Sequence, residues 1–150
     1  MPNRGTHQTV GILAGGGVAL VLSNGQSTPN QLTECVGGAL AGYIFGRVPD
    51  MLDPPLSPNH RSLAHGVAPG TTLMGAYTSQ LDSIQSFFRS HADRQDALAK
   101  QAQTTVSELW HYFLELLCRF LAGAAAGVLG GYGSHLVLDS FSPQSLPLVG

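Results

Sequence analysis

The chain has 150 residues, a single-domain length, and seven Lys and Arg against nine Asp and Glu give it a formal net charge of −2. That balance excludes a broad basic face for nucleic acid. Charged residues are 11% of the chain and hydrophobic ones 43%, which also excludes intrinsic disorder.

The elements read in chain order as helices. Val10–Ser23 is an apolar stretch carrying Gly11 and Gly15, and Leu32–Val48 is a second one carrying Gly38, Gly42 and Gly46. Four-residue spacing puts each set of glycines in a row on one helix face, where two backbones can approach closely. The run Pro49–Pro69 holds five prolines and reads as a loop. Thr78, Ser79 and Asp82 form a helix start of the capping-box kind. From Leu81 to Leu116 apolar residues recur every three or four positions between charges, predicting one long, kinked amphipathic helix. Leu116–Leu138 is apolar again, with Gly123, Gly127 and Gly131 in a row, and the tail after Asp139 is irregular. No strand pattern is present. The expectation is an all-α, compact helical bundle of one domain, residues 1–150, with a Pro-rich metal-binding loop.

Nine of the sixteen charges fall between Asp82 and Arg119, so the helices at either end of the chain are nearly uncharged. The first two apolar stretches fall short of the ~20 residues of a spanning helix and the third just reaches it. Small domains hide only ~60–70% of their surface, so this much apolar helix predicts either a bilayer around it or a homo-oligomer. The N-terminus does not read as a signal peptide. The expected location is the membrane or else the cytoplasm, without secretion. Cys35 and Cys118 form no CxxC pair and read as buried thiols.

His and Asp gather where the helix pattern ends. His7 heads the first helix, Asp50 and Asp53 follow the second, His60 and His65 lie in the Pro-rich loop, and His135 and Asp139 share one face of the last helix. Antiparallel tracing brings these four stretches to the same end of the bundle. Imidazoles and carboxylates together make a divalent-metal site, selecting zinc first, then manganese or iron. Arg61 is a solvated charge or a clamp for an anionic substrate. His91 and His111, in the charged segment, read as ordinary surface residues. Ala14-Gly15-Gly16-Gly17 lacks the spacing and the Lys of a phosphate loop, and Gly133-Ser134-His135 is not a nucleophile elbow.

Thr6-His7, Val48-Pro49-Asp50, His60-Arg61-Ser62-Leu63-Ala64-His65 and the long block from Gly131 to Pro143 resemble signatures of bacterial and phage inner-membrane metal-dependent hydrolases. The C-terminal block follows the pattern G-Y-x-S-H-L-x-L-D-x-x-T-P nearly throughout, and the resemblance spans most of the chain outside residues 70–115. Asp50-Met51-Leu52-Asp53 is one residue wider than the family's acidic pair, and the middle helix is charged where the family's is apolar. The resemblance implies a helical metal-dependent hydrolase, distantly related to zinc-dependent phospholipase C and the related nucleases. It carries over His7, Asp50, His65, His135 and Asp139 as ligands, with His60 and Asp53 in support. On this reading the reaction is hydrolysis of an anionic phosphoester by metal-activated water, with Asp53 orienting the water and Arg61 neutralising the substrate. The competing reading is a non-catalytic helical membrane or interaction protein whose metal site is structural or degenerate.

Overall fold

A computed structural model describes residues 4–52 and 67–141. The described chain is all-helical: α1 (Arg4–Leu22), α2 (Thr28–Phe45), a short α3 (Val48–Leu52), α4 (Val67–Gln101) and α5 (Thr105–Ser140). α5 is the central element and packs on α1, α2 and α4, while α1 and α2 also pack on each other. Among the described elements, the backbone of α4 lies along α5 alone.

Three boundaries differ from the sequence expectation, each for a local reason. The Pro-rich run is helical at both of its described ends. Pro49 stands in the first turn of α3 and Pro69 in the first turn of α4, where a missing N–H costs nothing. α4 therefore begins at Val67, and Thr78 and Ser79 lie inside it, their hydroxyls donating back to the carbonyls of Met74 and Ala76. The long amphipathic segment is two helices. The chain turns at 102–104, and Thr104 caps α5 by accepting a hydrogen bond from the Ser107 N–H at 3.3 Å. At the other turn, Gly25 takes a φ of +91°, a left-handed conformation that favours glycine. Cys35 and Cys118 are free and half-buried, so neither is the buried thiol expected.

The glycine rows meet one another. A Cβ on Gly42 would press into the Gly11 carbonyl and the Gly15 backbone, one on Gly127 into the Gly38 carbonyl, and one on Gly123 into the backbone of Glu34. α1, α2 and α5 thus touch backbone to backbone, and their buried apolar residues, among those described, are correspondingly small, alanine in all but Tyr132. The large apolar side chains point outward instead. Leu13, Val21, Val36, Val106, Leu109 and Val137 are each more than half exposed. α1 and α5 are both long and apolar enough to cross a membrane, α1 because it extends upstream of Val10.

The interior is polar at both ends of the three-helix unit. Near the α1–α2 turn, wholly buried Glu34 accepts from Arg89 Nε at 3.0 Å and Nη2 at 2.7 Å, and from Gln26 Nε2 at 2.8 Å. Arg119, also buried, donates from Nη1 to Gln26 Oε1 at 2.8 Å and from Nη2 to Asp93. This knot ties α4 to the α1–α2 hairpin, which its backbone does not reach.

Candidate metal centre

The opposite end of the bundle holds a second buried group. His7 sits in the first turns of α1, Asp50 in α3, and His135 and Asp139 in the last turns of α5. The glycine seam sets their heights. Gly131 lies against Gly42, and Gly46 is so close to the His7 carbonyl that a Cβ there would approach it to 2.8 Å. With the backbones in that register, the His135 ring reaches the end of α2.

His7, His135 and Asp139 are 3%, 0% and 2% exposed, so the cluster is cut off from bulk water. Each offers a ligand atom, and these atoms lie within 4.8 Å of one another. His7 Nε2 is 3.5 Å from Asp139 Oδ1, and His135 Nε2 is 3.4 Å from Asp139 Oδ2. Asp50 Oδ1 is 3.7 Å from His135 Nε2, and its side chain is partly exposed at the edge of the group. The two imidazoles stack with ring centroids 4.1 Å apart.

The spacing suits a cation. Ligands at ~2.1 Å from a tetrahedral zinc stand ~3.4 Å from one another, which these separations approach. The second shell agrees. His135 Nδ1 lies 2.8 Å from the Gly46 carbonyl, which can only accept, so Nδ1 carries a proton and Nε2 is the ring atom turned toward Asp139. The group could hold a metal ion.

Of the residues singled out in the sequence, His7, Asp50, His135 and Asp139 come together, whereas Asp53, His60, Arg61 and His65 lie outside the described residues. His91 accompanies Phe87 on the exposed side of α4, and His111 Nδ1 is 2.7 Å from Gln95 Oε1 on the α4–α5 interface; neither belongs to the cluster. Gly46 was not anticipated, because a backbone carbonyl leaves no mark in residue type. No family model matches the chain, and no curated protein or solved structure shows significant similarity to it.

Proposed function

We propose that this chain is a membrane-seated, divalent-metal-dependent hydrolase of phosphoesters, with zinc as the preferred ion. The observation that carries the reading is the buried triplet His7, His135 and Asp139, at ligand spacing and with the His135 ring oriented by the Gly46 carbonyl. A bound divalent ion supplies Lewis acidity toward a phosphoryl oxygen and activates water near neutral pH. The chain's own residues do the rest. Asp139, between the two imidazoles, provides negative charge for the ion, and Asp50 at the partly exposed edge stands where substrate would enter. On the chemistry of the donor set Asp53 orients water and Arg61 neutralises the anionic substrate, and the resemblance of their motifs adds His60 and His65 to the ligands.

The apolar outer face supports a bilayer as the surroundings. α1 is 19 residues long, roughly 29 Å at 1.5 Å per residue, which matches a ~30 Å hydrocarbon core and leaves His7 near its edge. The competing structural-metal reading draws support from the near-complete burial of the triplet, since a catalytic ion keeps a position open to water.

Turnover separates the two. Protein purified in detergent and loaded with zinc or manganese should hydrolyse a phosphodiester or phosphomonoester, and a chelator should abolish the activity. His135→Ala should remove it, Arg61→Ala should raise KM without changing metal content, and His91→Ala should change neither. A broad phosphoester panel that stays silent while metal is bound would decide for the structural site.

A further inference from the structure

α4 and α5 outrun the α1–α2 hairpin. The turn of that hairpin meets α5 at Arg119, through Gln26, and α4 at Arg89, through the Leu22 carbonyl. Beyond that level α5 continues from Cys118 back to Thr105, about 14 residues and ~21 Å at 1.5 Å per residue. α4 runs beside it, joined through Gln95 and His111.

This projecting segment of α5 turns its polar side inward. Glu108, His111 and Glu115 share one helix face and are half-buried toward α4. Val106, Leu109, Trp110, Phe113, Leu116 and Leu117 lie on the opposite face and are 40–79% exposed. A bilayer does not account for that stripe. α1, with 19 residues, already matches the hydrocarbon thickness, and the charged knot of Glu34, Arg89, Asp93 and Arg119 stands at its end. The side chains of Asp93 and Lys100, on the neighbouring stretch of α4, are 69% and 66% exposed, as charges in water are. The stripe therefore stands in water whether or not lipid surrounds the other helices, and water is a costly neighbour for six large apolar groups.

A second copy of the chain fits this face in spacing, charge and area. Val106, Leu109, Phe113, Leu116 and Phe120 alternate by three and four, the a and d positions of a coiled-coil seam. The positions flanking that seam are Thr105, Trp110, Tyr112 and Leu117, so two copies meet with no like charges opposed. The six exposed side chains present roughly 700 Å², close to the ~800 Å² that each partner of a standard interface buries.

We propose that the chain forms a two-fold dimer through α5 residues 106–117, the two stripes packed in parallel as a short coiled coil beyond the α1–α2 turn. Only the parallel direction draws on the bilayer seating, which points both copies the same way. The interface is remote from the His/Asp cluster, so its failure would leave the metal-dependent reading standing.

The test is disulfide trapping on the full chain in phosphatidylcholine vesicles. In a parallel two-fold pair Val106 meets its own counterpart, so Val106→Cys under mild oxidation should give at least about tenfold more covalent dimer than wild type, whose Cys35 and Cys118 lie off the stripe. Adding Phe113→Lys or Leu109→Lys should cut that yield about tenfold with helical circular dichroism unchanged, because both positions are exposed in the single chain. Adding Leu73→Gln, at an exposed position near the start of α4, should leave the yield as it was. Trp110 is the single tryptophan and reports what covers the stripe. Its emission should be insensitive to lipids brominated at mid-chain and should shift to the red in Phe113→Lys. A Val106→Cys yield no higher than wild type, a yield untouched by both lysine variants, or quenching of Trp110 by the brominated lipid, which would make lipid the cover, would each overturn the proposal.

Discussion

At the α1–α2 turn, Glu34 is wholly buried, and its carboxylate accepts from both Arg89 and Gln26 while Arg119 pairs with Asp93. At the far end Asp139 is as deeply buried, yet the nitrogens beside it are those of the His7 and His135 imidazoles, at 3.4–3.5 Å. The first cluster has two carboxylates matched by two guanidiniums, so the protein supplies its own counter-charge. The second, among the described residues, offers carboxylates and imidazole nitrogens at the spacing of ligands. Burial alone does not distinguish a structural knot from a site; the sign and spacing of the buried groups do.

That contrast can be broken from the knot side first. Arg89→Met leaves the Glu34 carboxylate buried with its chief partner gone, and should cost about 3–5 kcal/mol in thermal unfolding. Adding Glu34→Gln to the same chain should restore more than half of the loss, because an amide is far cheaper to bury than a charge. If the single variant unfolds like wild type, the knot does not hold α4 in place.

The glycine seam that positions both clusters comes next. Gly42→Ala would drive a methyl into the Gly11 carbonyl and should cost about 3 kcal/mol, measured as a lowered unfolding midpoint. Metal loading sharpens the site end. Zinc at a hundredfold excess over Kd should raise unfolding free energy by about 2.7 kcal/mol in wild type and by much less in Asp139→Asn. The smallest effect belongs to Gly75→Ala, whose Cβ meets nothing and whose helix gains up to about 1 kcal/mol, a control for the seam.

Much of this was legible in residue order. The glycine rows of α1, α2 and α5 could be read as close-approach faces because spacing of four is a helical repeat, and those rows do face one another. His135 and Asp139 could be placed on one face for the same reason. The break between α4 and α5 was hidden because apolar periodicity runs through it; the signal was Thr104, a cap residue three before Ser107. α3 and the start of α4 were masked by prolines that first helical turns accept. The Arg89–Glu34 knot was missed altogether, although Glu34 is a lone carboxylate inside an apolar stretch. Such a residue calls for a buried cation, but its partner lies 55 positions away and residue order does not name it.

The account rests on His7, His135 and Asp139 holding a divalent ion, and zinc content after equilibrium dialysis tests this most directly. Wild-type protein should retain zinc stoichiometrically, and His111→Ala, on the α4–α5 interface away from the cluster, should retain it equally. His135→Ala and Asp139→Asn should each lose it while keeping the helical circular dichroism of wild type. Zinc bound at wild-type stoichiometry in both of those variants would contradict the account.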